Sequence, residues 1–91
     1  MIGLELKNIG WLAALFTSTT FIPQIIKGLK TRKLKDLSLF MLLTSLTGIS
    51  LWLIYGLIIK DIIIISANIF TLTTLLILIT MKFYYYKKYK Q

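Results

Sequence analysis

The stretch Leu37 to Ile59, LSLFMLLTSLTGISLWLIYGLII, runs for 23 residues without a charge. A bilayer core about 30 Å thick is crossed by roughly 20 apolar residues in a helix rising about 1.5 Å per residue. One crossing fits. Working outward, two further uncharged spans appear, 8–26 between Lys7 and Lys27 and 62–81 between Asp61 and Lys82. Three buried helices of a soluble bundle would need polar stripes at helical period, and these spans hold isolated Thr, Ser and Asn instead. The predicted fold is an all-α membrane protein. It is a single three-helix unit over residues 1–91, with helices near 8–27, 37–59 and 62–82.

Composition points the same way and removes most chemistry. Of 91 residues, 57% are apolar and 15% charged, against about 45–50% and about 25% in average soluble domains. A soluble chain this small has too little interior to hide so much apolar area. Cysteine and histidine are both absent, and Glu5, Asp36 and Asp61 are the only acids beside eleven Lys and Arg. Disulfides, thiolate metal sites and the usual general base are therefore missing. No enzymatic activity, cofactor or metal is expected.

The basic residues set an orientation. Lys27, Lys30, Arg32, Lys33 and Lys35 fill the first connection, and Lys82, Lys87, Lys88 and Lys90 the tail. The N-terminus offers Lys7 and the second connection Lys60. Cytoplasmic loops carry the excess of Lys and Arg, so the N-terminus is expected outside and the C-terminus in the cytoplasm. The first span has only a weakly basic start, Glu5 beside Lys7, no A-x-A-like site after Phe16–Ile22, and its strongly positive stretch behind it, so it reads as a retained helix rather than a cleaved signal. Charges that flank spans on one side do not form a groove with interleaved aromatics, which argues against nucleic acid as partner. Tyr84, Tyr85, Tyr86 and Tyr89 fall where amphipathic rings settle at an interface, and a basic, aromatic tail suits contact with anionic membrane lipid.

Three helices do not easily surround a solvated path, so a transport role calls for an oligomer, most simply a two-fold homodimer. Polar residues within the spans suggest what such a path would hold. Pro23 lacks an N–H and its ring clashes with the carbonyl four residues earlier, at Thr19, so a kink is expected. The pair Pro23-Gln24 near the inner end of the first helix reads as a hinge. The hydroxyls of Thr17, Ser18, Thr19 and Thr20 read as helix–helix glue. Trp52 lies eight residues before Lys60 and Asn68 eight after it. Both therefore sit roughly 10–12 Å below the outer turn. Two readings fit. Trp52 packs on a neighbouring helix while Asn68 bonds across to a hydroxyl such as Ser18, or the ring face and amide together recognise a sugar. Met41, Ser45, Gly48, Trp52 and Tyr55 share one helical stripe. That stripe is either plain packing or a cavity wall with Met41 at its inner mouth and Tyr55 at its outer mouth.

These residues carry a family resemblance. Phe21-Ile22-Pro23-Gln24 resembles the PQ motif of the PQ-loop superfamily. With Leu51 to Gly56, Asp61 and Ala67-Asn68, the chain resembles the bacterial SemiSWEET sugar transporters over roughly residues 9–82. The resemblance implies a parallel homodimer of three-helix bundles in spatial order 1-3-2, in the inner (plasma) membrane of a prokaryote. Parallel repeats about an axis along the membrane normal are the arrangement of SWEET transporters. It implies passive, alternating-access passage of mono- or disaccharides along the dimer axis. Trp52 and Asn68 would bind the sugar, Tyr55 and Asp61 would form an outer gate, and Pro23 and Gln24 a hinge; the stripe adds Met41 as an inner gate. Relatives often place an arginine two residues before the aspartate; here that position is Ile59, so Lys60 would have to take over the pairing with Asp61. No carboxylate or histidine lies within a span, so a buried proton relay is missing and uniport is expected. The alternatives are a PQ-loop carrier of another small solute, such as an amino acid, and a small membrane subunit that transports nothing. An amino acid would need charged partners that the spans lack.

Overall fold

The computed structural model describes residues 2–90, with side chains from Glu5 onward. Four helices follow one another: α1 (Ile2–Ser18), α2 (Ile22–Thr31), α3 (Leu39–Ile59) and α4 (Ile62–Tyr89). The first two form one apolar run, Glu5–Thr31, so three helical spans are long and apolar enough to cross a membrane.

The break between α1 and α2 follows from Pro23. The Thr19 carbonyl, which a regular helix would pair with residue 23, instead accepts from the Ile22 N–H at 3.2 Å, and the Thr17 carbonyl accepts from the Thr20 N–H at 3.3 Å. Four-residue spacing resumes at Ile25, which donates to the Phe21 carbonyl at 3.0 Å. Hydroxyls reinforce the bend: Thr17 donates to the Ala13 carbonyl at 3.0 Å and Thr19 to that of Leu15 at 2.9 Å. Such back-bonding pulls carbonyls out of line and bends helices.

Helix ends differ from the expected ones for local reasons. The first span continues to Thr31, because its lysines extend into water from a helix that has already left the apolar region. It stops where Arg32 turns left-handed (φ 55°). The second begins at Leu39 rather than Leu37, since the Ser38 hydroxyl caps it by accepting from the Met41 N–H at 3.2 Å. The third runs to Tyr89 rather than to about 82, continuing through a Lys- and Tyr-rich tail that the interface accommodates. Between α3 and α4, Lys60 is left-handed (φ 57°), and the Asp61 carboxylate accepts from the N–H groups of Ile63 and Ile64 at 2.9 and 3.2 Å. This is an N-cap. Gly56 permits the tight turn: a Cβ there would lie 2.7 Å from Ile64 Cγ2.

Packing centres on α4, which touches α1, α2 and α3; among the described residues no Cα of α3 comes within 8 Å of one in α1 or α2. The body measures 54 × 24 × 15 Å. Its buried core is small: Phe21, Leu34, Leu42, Leu75 and Leu78, with Ile25, Leu37, Leu46 and Ile49 among those packed around it. Leu34 belongs to the basic connection yet is fully buried. It plugs the end of the bundle. Large apolar side chains such as Phe16, Phe40 and Ile58 stay exposed at 71%, 80% and 73%, as suits helices solvated by lipid.

Candidate functional site: a cleft between the first and second spans

Because α3 and the first span both pack on α4 with no Cα of one within 8 Å of a Cα of the other, a cleft of about 510 Å³ opens between them. Thr17, Thr20 and Phe21 line it from the broken first span, Ser45, Gly48, Ile49 and Trp52 from α3, and Ala67, Asn68 and Thr71 from α4. Trp52 and Asn68, matched in depth by sequence, thus line the same cleft. The indole is half exposed at 56% and meets the Tyr55 ring edge-on, with centroids 5.7 Å apart and planes at 83°. That contact leaves indole area open. Nothing lies within 4 Å of a Cβ placed on Gly48, so the wall beside the indole is open.

Asn68 does not bond across to the first span. Its Nδ2 donates to the Ile64 carbonyl of its own helix at 2.8 Å, while the Ser18 hydroxyl points back to the Leu15 carbonyl at 3.5 Å. Among the described residues the Asn68 Oδ1 accepts no hydrogen bond, and the amide keeps one further N–H. The Ser45 hydroxyl makes a weak contact with Met41 Sδ at 3.7 Å. The Thr71 hydroxyl donates to the Ala67 carbonyl at 2.7 Å and retains its lone pairs. An apolar ring face therefore stands beside an uncharged set of donors and acceptors. Such a wall suits a neutral, hydroxylated molecule; an ion would find no countercharge.

The other expected positions fall as follows. Tyr55 lies one turn beyond Trp52 toward the Lys60-Asp61 turn, sharing with it, Gly48, Leu51 and Ile64 a second hollow of about 520 Å³. Asp61 caps α4, and among the described residues it pairs with neither Lys60 nor Tyr55. Pro23 and Gln24 sit just past the break, and Gln24 Oε1 is buried without a partner among the described residues. Met41 lies one turn before Ser45, toward the start of α3, outside the lining of the cleft. Phe21, Thr20 and Thr71 went unrecognised in the sequence as lining groups. Thr71 could have been found, since three residues beyond Asn68 lies on the same face of a helix.

The basic end of the molecule is held by polar ties. Lys27 and Asp36 pair at 2.9 Å, Lys82 Nζ donates to the Leu34 carbonyl at 3.0 Å, and Arg32 donates to the Tyr89 hydroxyl at 3.3 Å. The Lys27 ammonium holds the Asp36 carboxyl below its ordinary range.

The PQ loop repeat family model matches residues 6–65. A protein of Bradyrhizobium diazoefficiens described as sugar transporter SemiSWEET is 46% identical over 67 residues, covering 74% of this chain and 78% of that one. A crystal structure of a bacterial homologue of SWEET transporters superposes with a TM-score of 0.80 at 40% identity, covering 85% of this chain and 93% of that one. The crystal structure of SemiSWEET in the inward-open conformation gives a TM-score of 0.78 at 32% identity, over 99% and 95% of the two chains. With a family model over most of its spans and a relative this similar over most of both lengths, the chain belongs to the PQ-loop repeat family, among the SemiSWEET proteins.

Proposed function

We propose that two copies of this chain form a parallel homodimer that carries a neutral mono- or disaccharide across the inner membrane of a prokaryote. The observation that carries the reading is the shared cleft, with the Trp52 ring face and the unpaired Asn68 carboxamide oxygen on one uncharged wall. A single chain leaves that wall open on one side. A second copy related by a two-fold axis along the membrane normal closes it and supplies a second indole and a second amide. Within each chain the third span lies between the first and second, a 1-3-2 order that the packing on α4 supports. The Lys and Arg distribution puts the N-terminus outside and the C-terminus in the cytoplasm.

Passage is passive and alternates between the two faces. The break at Thr19–Phe21, ahead of Pro23 and Gln24, is a hinge at which the inner part of the first span swings. Tyr55 closes the outer side, with Asp61 anchoring the turn beside it, and Met41 closes the inner side. Asp61 works through its cap: it fixes the start of α4 and hence the outer end of the path. The test is uptake of a panel of mono- and disaccharides by vesicles reconstituted with the purified chain alone. Uptake of at least one sugar, saturable and lost in Trp52→Ala while the dimer persists, supports the proposal. Failure to move any sugar, together with a stable complex with another protein, would favour a subunit role instead.

A further inference from the structure

A second hollow, of about 450 Å³, lies away from the cleft at the basic end of the molecule. Lys35 from the connection, Leu39 from the start of α3, and Lys82, Phe83 and Tyr86 from α4 line it. We propose that this hollow is a binding site for one anionic phospholipid, with its phosphodiester between Lys35 and Lys82 and an acyl chain along Leu39 and Phe83.

Four observations favour that occupant. First, the hollow lies where α3 and α4 leave their uncharged spans, between Asp36 and Leu37 and between Met81 and Lys82, the place where Lys and Tyr gather at a membrane interface. Second, its lining combines two lysines and a tyrosine with exposed Leu39 and the Phe83 ring, 52% exposed, the mixture of polar and apolar partners that a phospholipid headgroup and acyl chain need. Third, charge is in excess there. The nearby Asp36 carboxylate pairs directly with Lys27 at 2.9 Å and feels Lys82 only as a smaller contribution, so one carboxylate faces three ammonium groups. Lys82 is half-buried and spends one N–H on the Leu34 carbonyl at 3.0 Å, which fixes the ammonium and leaves two donors. Fourth, Leu39 opens a 21-residue helix, whose N-terminal end carries partial positive charge. Basic pockets between membrane helices recognise anionic headgroups on these grounds. The site lies outside the transport cleft, so its fate is independent of the transport reading.

Native mass spectrometry of the solubilised protein, with equimolar phosphatidylglycerol and phosphatidylcholine of matched chains, tests the proposal. At about fivefold per lysine, phosphatidylglycerol is expected to be retained about 25-fold better. Lys35→Gln and Lys82→Gln should each lower the preference about fivefold. Lys87→Gln, which removes the same charge outside the hollow, should leave it unchanged. Phe83→Ala should weaken retention with all charges intact. Equal retention of the two lipids, or equal loss in Lys87→Gln, overturns the site. Displacement by inorganic phosphate overturns the lipid assignment in favour of a free anion. Should Lys82→Gln fail to fold because the Leu34 tie is lost, Lys35→Gln decides the matter, since Lys35 makes no hydrogen bond among the described residues.

Discussion

Replacing Trp52 by alanine should weaken sugar binding far more than it weakens the fold. In the single chain the residue is 56% exposed, which for an aromatic of roughly 250 Å² leaves about 140 Å² accessible. A sugar ring stacked on one face covers about half of that, or ~70 Å². At ~25 cal/mol per Å² this contributes about 1.8 kcal/mol per indole. Two indoles facing one sugar contribute about 3.5 kcal/mol, so the double loss in the homodimer should weaken apparent affinity by about 300- to 400-fold. Asn68→Ala removes about one net hydrogen bond per chain, about 1 kcal/mol each, for a loss of about 30-fold across the pair. The assay is concentration-dependent sugar exchange in vesicles, with dimer mass and thermal unfolding measured on the same preparations. Affinity within threefold of wild type in a folded Trp52→Ala dimer would refute the stacking argument. So would a variant whose unfolding temperature falls as steeply as its transport, because that is the signature of a packing residue.

Further consequences follow from the same structure. Pro23→Ala restores an N–H that can reach the Thr19 carbonyl; exchange should slow while equilibrium sugar affinity changes little, read by comparing rates with binding isotherms. Gly56→Ala places a Cβ 2.7 Å from Ile64 Cγ2, which should lower stability by about 1–3 kcal/mol in thermal or denaturant unfolding. Because the Lys27 ammonium lowers the Asp36 carboxyl pKa from its ordinary 3.8, the pair stabilises the fold above that pH. The contribution is lost as pH falls through the depressed value. The unfolding-temperature difference between wild type and Asp36→Asn should accordingly be flat from neutral pH to about 5 and vanish in stronger acid. With no carboxylate or histidine inside a span, an imposed pH gradient should leave initial uptake rates unchanged, and marked stimulation would show proton coupling.

The three spans were legible because charge is excluded from hydrocarbon, so Lys7, Lys27, Asp36, Lys60, Asp61 and Lys82 bracket them without reference to packing. The break in the first span was legible too, at Thr19 rather than at the proline itself, because the missing N–H and the ring act one turn upstream. Leu34 was hidden: flanked by Lys33 and Lys35, it reads as loop, and only the tertiary fold turns it into a core plug. The extent of α4 was hidden as well, since a tail of Tyr and Lys is compatible with helix or coil until the interface and the Lys82 tie hold it. Depth matching from the Lys60-Asp61 turn brought Trp52 and Asn68 into one cleft, as two antiparallel helices with equal rise require. That Thr17 and Thr20, read as helix–helix glue, and Thr71 face the cleft was hidden for a different reason. Threonine recurs throughout these spans and usually bonds its own helix, so identity alone does not mark the ones that face a cavity. Asp61, read as a gate through family resemblance, also carried the ordinary helix-start signal of an aspartate before an apolar run, and capping is what it does in the fold.

Gly48→Cys offers the most direct test of a sugar held between two copies, since the chain has no native cysteine and nothing crowds that position. A short thiol-to-thiol cross-linker applied in the membrane should join two chains through this residue, and a saturating transported sugar should suppress the reaction. A chain that stays monomeric under the cross-linker, or links equally well whatever sugar is present, would contradict the account.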